Sequence, residues 1–357
     1  MVQRDTPVQS AKPKPGKKSL AQQSKFQATR KDVDKASAAS NGLQQRCLNI
    51  FRDALQTDGQ DSKTVQEVKG HLYNRDFATA FGHENYLKVY ASRWSPSRAL
   101  GYLQVLGDIH QLISQNREEE TGVPKALDVV CLGGGAGAEL VAFAGWCSQH
   151  MNKESRERLH LRLLDIANWD TVVKALHKCV ITPPELSKYA SAAAKEANSP
   201  LLPEAVFEVA FKQLDILSWP EEDLKATASS ANLVTLMFTL NELYSTSLPT
   251  TQRLLTHLTI FMRPGSYLLV VDSPGSYSTV SINGTEKKYP MQWLLDYTLL
   301  GTGKKGVRDE DVKWEKAMSD ESRWFRLPGG LRYPIELENM RYQIHLYRRL
   351  GEGTERG

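Results

Sequence analysis

The sequence predicts an α/β protein with a Rossmann-like sheet, and three observations support this prediction. An apolar run at 127–132, a glycine cluster at 133–137 and a helix-compatible run follow one another as strand, tight turn and helix. Further apolar runs of strand length recur between segments with helical spacing, at 159–165, 207–217, 232–240 and 266–272. Near the end, 323–328 and 340–349 alternate as strands do, so we expect them to close the sheet as an antiparallel pair.

The composition is that of a globular protein. With 357 residues, of which 41% are hydrophobic and 24% charged, the chain can form one large α/β core plus a smaller cap. Its four cysteines include no CxxC pair, which argues against a zinc site or a disulfide framework, and we expect no metal. No apolar run has membrane-spanning length and the N-terminus lacks the apolar core of a signal peptide. We therefore expect an intracellular protein that has no membrane partner.

A disordered basic tail is predicted over residues 1–40. Between Met1 and Lys35, the excess of lysine and arginine over aspartate is larger than the net charge of the whole chain, which is +4. Interspersed Pro, Gln and Ser leave too little apolar surface for this segment to fold. Such a tail is a nuclear or nucleolar address, a phosphate-binding tether, or a solvated segment with neither role.

A helical cap is predicted over 41–120, before an α/β domain over 121–350 and a frayed C-terminus over 351–357. The cap contains apolar residues at helical spacing, in the segments Leu43–Leu55, Ser62–Tyr90 and Ser97–Ser114.

Pro96 is expected to begin the third helix of this cap, with Ser95 as its N-terminal cap. Arg93, Trp94 and Arg98 lie beside this proline. They either contact an RNA base and phosphate or, as we favour, anchor the cap onto the core.

The glycine cluster predicts a site for a nucleotide-like cofactor, because glycines allow close backbone approach and the following helix offers unpaired N–H groups. The candidate cofactor-binding glycines are Gly133, Gly134, Gly135 and Gly137. Two patterns fit: G-x-G-x-x-G/A of dinucleotide enzymes, completed by Ala138, and G-x-G-x-G of S-adenosylmethionine-dependent methyltransferases. The turn at 263–265 and the strand-like C-terminus favour S-adenosylmethionine.

Two carboxylates are predicted to hold the nucleoside. Asp165 ends the second predicted strand, where an acid accepts hydrogen bonds from ribose hydroxyls. Asp215 ends the third, where it would accept from the exocyclic amine of adenine, or else simply begin a loop. Cys131 stands where methyltransferases usually have an acid two residues before the first glycine, and Asp128 lies too far back to replace it.

The segment 241–244 follows a buried central strand directly, so its residues are expected to face the ligand crevice. The candidate catalytic residues are Asn241, Glu242 and Tyr244. For Glu242, a role at a helix N-terminus is an equal alternative.

Four segments together resemble the fungal 25S ribosomal RNA uridine-N3 methyltransferases, which are class I S-adenosylmethionine-dependent enzymes. They are the glycine turn at 132–139 and the segments 90–102, 241–244 and 332–339. The resemblance covers about Leu43 to Arg349 and implies a class I methyltransferase sheet with a helical N-terminal extension and an antiparallel C-terminal strand pair. It also implies ribosomal RNA or a pre-ribosome as partner, a monomer, and a nuclear and nucleolar location, with the cytoplasm as an alternative.

The implied reaction is methyl transfer from S-adenosylmethionine to N3 of a uridine that is unpaired or flipped. Glu242 is the expected base, while Asn241 or Tyr244 would position the uracil edge. Trp94, Arg326 and Tyr333 are expected either to stack on the uridine or to be structural. Two other functions stay open: a methyltransferase of a protein or small molecule, and a non-catalytic scaffold of ribosome assembly.

Overall fold

The computed structural model describes residues 39–56, 62–118, 126–150, 157–275, 277–282, 285–304, 306, 308 and 311–351. These residues belong to one compact unit that begins at Ala39. The predicted basic tail, apart from residues 39 and 40, and residues 352–357 of the predicted frayed end lie outside the described residues.

A seven-stranded sheet with the order β3-β2-β1-β4-β5-β9-β8 forms the centre of the fold. Strands β1 to β5 are parallel, whereas β9 runs antiparallel to β5 and β8 antiparallel to β9. The strand bounds are β1 Ala126–Leu132, β2 Arg158–Asp165, β3 Phe207–Gln213, β4 Leu233–Met237, β5 Tyr267–Asp272, β6 Tyr277–Ile282, β7 Thr285–Pro290, β8 Trp314–Phe325 and β9 Met340–Arg349. The predicted parallel sheet and its antiparallel closure are therefore confirmed, although β8 covers Trp314–Phe325 rather than the predicted 323–328.

Helices cover both faces of this sheet. Their bounds are α1 Asn41–Leu55, α2 Ser62–Tyr73, α3 Phe77–Ala80, α4 Glu84–Glu118, α5 Ala138–His150, α6 Asp170–Ile181, α7 Ala192–Glu196, α8 Glu221–Ser230, α9 Leu240–Thr246, α10 Leu248–Phe261 and α11 Met291–Leu299. Alternate residues of a strand point to opposite faces of the sheet and so belong to two different apolar clusters. Val129 belongs to the cluster that contains residues of α1, α4, α5 and α6, and Val130 belongs to the cluster that contains residues of α8, α10 and α11. Strands β4 and β5 are buried along their whole length.

None of the strands predicted from the sequence covers the segment after β5. Strands β6 and β7 form an antiparallel pair there, with Ile282 opposite Thr285. Among the helices of the described ranges, none combines the length and apolarity needed to cross a bilayer.

The prediction that Pro96 begins a helix is wrong, because Pro96 lies inside the 35-residue helix α4. A proline inside a helix has no N–H to donate to the carbonyl four residues earlier, which here belongs to Ser92. The hydroxyl of Tyr333 donates to that Ser92 carbonyl at 2.9 Å. A side chain from the C-terminal part of the chain thus supplies the donor that the helix lacks.

The neighbouring residues of α4 hold the same C-terminal segment. Arg93 is 9% exposed, and its guanidinium donates to the carbonyl of Glu336 and to the carboxylate of Glu338. The hydroxyl of Ser97 accepts a hydrogen bond from the backbone N–H of Glu338 at 3.0 Å. Arg93 therefore has the anchoring role that the sequence favoured.

We expect Tyr333→Phe to lower the free energy of unfolding by about 1 kcal/mol, because the ring no longer donates to the Ser92 carbonyl. In a Pro96→Ala background the helix regains an N–H for that carbonyl, so the same change should cost less. Urea unfolding of the four proteins in this double-mutant cycle measures the difference. An equal cost in both backgrounds would contradict the link between Tyr333 and the missing N–H.

Candidate active site

A cavity of ≈ 560 Å³ opens at the carboxyl ends of β1, β2, β4 and β5. Six of the sequence-predicted site residues line it, namely Gly133, Gly134, Asp165, Asp215, Asn241 and Glu242. Residues of α4 line it as well, so the helical extension forms one wall. The structure thus joins the glycine turn, the predicted acids and the extension at one site.

The first half of the glycine turn faces the cavity. Gly133 has a positive φ of 83°, and a Cβ at this position would lie 2.3 Å from Oγ1 of Thr239. Gly135 and Gly137 do not line the cavity, and a Cβ there would lie 2.0 Å from the ring of Trp169 or 2.2 Å from Leu176. These two glycines make room for side chains of the protein itself rather than lining the cavity.

Asp165 links the end of β2 to the glycine turn. Its Oδ2 accepts from the backbone N–H of Gly135 at 3.1 Å, and its Oδ1 accepts from that of Ala167 at 3.0 Å. Burial raises the pKa of this carboxyl above its ordinary value despite these hydrogen bonds. Because each carboxylate oxygen accepts more than one hydrogen bond, Asp165 can still receive ribose hydroxyls.

Asp215 follows β3, which ends at Gln213 rather than at the predicted residue 217. Its carboxylate accepts from the N–H of Leu217 and from the hydroxyl of Ser218, both at 3.0 Å, and so caps a short 3₁₀ helix. Asp215 therefore begins a loop and also lines the cavity. Leu214 and Ile216 beside it provide an apolar wall for a flat ring.

A buried acid does lie beside Cys131, namely Glu139, a residue that we did not predict as part of the site. Glu139 lies in the first turn of α5, lines the cavity and is only 3% exposed. Its Oε1 accepts from the hydroxyl of Thr235 at 2.6 Å, and Thr235 is the β4 partner of Cys131. Burial raises the pKa of Glu139 to about 7. Asp128 is engaged elsewhere, with Arg162 and His160.

The predicted catalytic residues divide between the cavity and the core. Asn241 and Glu242 line the cavity, and both oxygens of Glu242 accept from Nη2 of Arg75 at 3.2 Å. Tyr244 is 4% exposed and packs in the apolar cluster that contains Leu254. Residues two apart in a helix point to different faces, so α9 directs Tyr244 away from the cavity that Glu242 lines.

A second buried carboxylate, Asp272, ends β5 and lines the cavity. It accepts from the backbone N–H groups of Asn241 at 3.0 Å and Ser273 at 2.7 Å. Burial raises its pKa to about 6. The rule that pointed to Asp165, an acid at the end of a buried strand, applies equally to Asp272.

Phe238 connects β4 to this site with a strained backbone. Its φ is 58°, a value that bulky residues rarely adopt and that concentrates at functional sites. The guanidinium of Arg98 lies 5.2 Å from the Phe238 ring and donates to the hydroxyl of Tyr90 at 2.6 Å. Trp94 also lines the cavity, with its ring 5.0 Å from that of Tyr90.

These residues fit a nucleoside cofactor that carries an amino-acid end. Gly133 and Gly134 line the cavity without a side chain, and Asp165 and Asp215 stand at the ends of neighbouring strands. Glu139 places a buried carboxylate beside the glycine turn, where it suits an ammonium group. Within the described residues, we find no cluster of three or more His, Cys, Asp or Glu side chains suited to a metal ion.

Comparison with known proteins agrees with this geometry. Residues 49–348 match the model of a family described as "Putative SAM-dependent methyltransferase". The chain is also 36% identical to the 25S rRNA (uridine(2843)-N(3))-methyltransferase of Saccharomyces cerevisiae, over 83% of this chain and 82% of that protein.

Two solved structures are similar at lower identity. A SAM-dependent methyltransferase from Methanosarcina mazei has 10% identity and a TM-score of 0.36, over 66% of this chain and 96% of that chain. Human N-acetylserotonin methyltransferase, in complex with SAM, has 13% identity and a TM-score of 0.33, over 86% of this chain and 67% of that chain.

The family match spans most of the chain, and the yeast relative extends over nearly the same length. The predicted class I methyltransferase sheet and the predicted cofactor, S-adenosylmethionine, are confirmed. The chain therefore belongs to the family of S-adenosylmethionine-dependent methyltransferases that its sequence resembled.

Proposed function

We propose that this methyltransferase acts on N3 of a uridine in large-subunit ribosomal RNA, as a monomer in the nucleus and nucleolus. The observation that carries the proposal is the identity with the yeast 25S rRNA enzyme over 83% of the chain. The arrangement of the segments that carried the resemblance supports it. In segment 90–102, Ser95 is hydrogen-bonded to Ala136 of the glycine turn, and Ser92 is hydrogen-bonded to Tyr333 of segment 332–339. Residues of segment 241–244 line the same cavity.

S-adenosylmethionine would supply an electrophilic methyl group at this site. Asp165 and Asp215 would hold its nucleoside, with Gly133 and Gly134 beneath it, and Glu139 would hold its ammonium group. We assign the ammonium to Glu139 because its carboxylate lies beside the glycine turn, where Cys131 has no charge to offer.

N3 of uridine carries a proton at neutral pH, so the reaction needs a proton acceptor. We place this role on Asp272, since both oxygens of the predicted base, Glu242, are held by Arg75. Asp272 is buried, faces the cavity and has a pKa of about 6, which leaves it ionised at neutral pH. Asn241 and Glu242 would then position the uracil edge, and Tyr244 supports α9 from the core.

The direct test incubates the protein with labelled S-adenosylmethionine and either large-subunit ribosomal RNA or a protein extract. We expect the label in RNA, as 3-methyluridine identified by mass spectrometry and by a reverse-transcription stop at the modified base. Label in protein would replace the RNA proposal with a protein methyltransferase. RNA binding without any transfer would support the scaffold alternative instead.

Cofactor affinity is expected to rise with pH through about 7 in the natural protein, because only the ionised Glu139 carboxylate pairs with an ammonium group. Glu139→Gln should bind S-adenosylmethionine more weakly, by about tenfold, and without this pH dependence. Titration calorimetry at several pH values measures both effects. Three other titratable groups lie near Glu139, namely Cys131, Asp165 and Tyr102. If cofactor affinity still rose with pH in Glu139→Gln, the titrating group would be one of these three.

Stability provides an independent check of the same group. The folded pKa of Glu139 lies above its unfolded value, so its contribution is fully present at acidic pH and is lost as the pH rises to about 7. The loss should reach up to about 3 kcal/mol and be absent in Glu139→Gln. Urea unfolding at acidic and neutral pH measures it, and parallel curves for the two proteins would contradict the burial of this charge.

For the proton acceptor, we expect kcat to rise as the pH increases through about 6 and then to level off. Asp272→Asn should lower kcat by about 100-fold and abolish this limb, because an amide accepts no proton. Glu242→Gln is the matched control and should keep the limb. Loss of the limb in Glu242→Gln alone would return the base role to Glu242.

A further inference from the structure

An exposed indole with two arginines close to it lies outside the cavity. Trp324, near the end of β8, is 49% exposed, which is unusual for a large aromatic side chain. The guanidinium carbons of Arg326 and Arg341 lie 4.8 Å and 5.8 Å from the centre of its ring. We call Trp324, Arg326 and Arg341 the Trp324 patch.

The two arginines of this patch keep their charge available. In the described part of the chain, neither guanidinium forms an ion pair with a carboxylate, and Arg341 donates only to the hydroxyl of Ser322. Arg323, one residue before Trp324, contrasts with them, because Asp108 and Asp320 neutralise it. The patch therefore combines a half-exposed indole with two positive charges.

The strand register places the patch at the same edge of the sheet as the cavity. Trp324 pairs with Arg341, and Gln343 pairs with Asp272 at the end of β5. The side chain of Gln343 also donates to the carbonyl of Ser273, which lines the cavity. Because β9 runs antiparallel to β5, Arg341, which precedes Gln343 by two residues, lies about 7 Å further past the carboxyl end of β5.

We propose that the Trp324 patch binds single-stranded RNA next to the target nucleotide, with a base stacked on Trp324 and phosphates contacted by Arg326 and Arg341. This inference rests on the proposed RNA substrate. An exposed aromatic ring stacks on any base, and unpaired guanidinium groups bind phosphates, so the combination suits RNA. A peptide partner would use the charges but would offer no bases for the indole.

The Trp324 patch and the cavity are separate sites. Arg326 was one of the residues that the sequence offered for stacking on the target uridine, but its guanidinium lies over Trp324 instead. Trp94 is the aromatic residue of that group that lines the cavity. The patch would therefore hold a flanking nucleotide while the target base enters the cavity.

The experiment measures the affinity of the full chain for a short single-stranded RNA of mixed sequence by fluorescence anisotropy at several salt concentrations. Trp324→Ala should weaken binding about tenfold, whereas Trp324→Phe should retain most of the affinity. Arg326→Ala and Arg341→Ala should each flatten the dependence of log K on log salt concentration by about 0.7. Arg263→Ala, an exposed arginine in the turn before β5, is the matched control and should behave as the natural protein.

Three further measurements distinguish the outcomes. Affinity for S-adenosylmethionine should be unchanged in all these variants, which shows that they are folded. If the natural protein methylates ribosomal RNA and the patch variants bind RNA normally, the patch is excluded while the proposed function stands. If polyglutamate competes for the labelled RNA site as strongly as unlabelled RNA of equal charge, base stacking on Trp324 is excluded. If the natural protein neither binds nor methylates RNA, both proposals fail.

Discussion

The cavity depends on how the middle of α4 attaches to the sheet. The hydroxyl of Ser95 donates to the carbonyl of Ala136 in the glycine turn at 2.7 Å, one residue before the proline that interrupts the helix ladder. This contact fixes the long helix across the carboxyl edge and brings Arg98 and Tyr102 over the cavity. The helical extension is thus part of the site, which explains why the segments that carry the family resemblance are distant in sequence but adjacent in the structure.

Much of the fold could be predicted because it depends on local patterns. The parallel strands and the antiparallel closure follow from apolar periodicity, which reports burial directly, and the glycine turn follows from its glycine cluster. The pairing of β6 with β7 was missed because these strands are mostly polar, although the sequence has Asn-Gly between them, a dipeptide typical of two-residue turns. Pro96 was misplaced because the donor that makes it tolerable, Tyr333, lies more than two hundred residues away.

The site was predictable only near the carboxyl ends of the predicted strands. Asp165 ends β2, Asp215 follows β3 and Asn241 and Glu242 follow β4, which ends at Met237 rather than at the predicted residue 240, and all four line the cavity. Glu139 could not be found this way, because it lies in the helix after the glycine turn and its carboxylate is held by Thr235, which is 96 residues away in sequence. Tyr244 shows the opposite error, since adjacency to Glu242 says nothing about which face of a helix a side chain takes.

Burial of carboxylates is the feature that unites the chemistry of the site. Glu139, Asp165 and Asp272 all have raised pKa values because the fold removes them from water, and each is held by protein donors. An ionised carboxylate that is buried without a counter-charge destabilises the fold, and a neighbouring cation offsets part of its desolvation free energy. Glu242 differs, because Arg75 already neutralises it at the surface. The cavity therefore holds buried carboxylates that suit a positively charged cofactor, whereas Glu242, nearer the surface, is already balanced by Arg75.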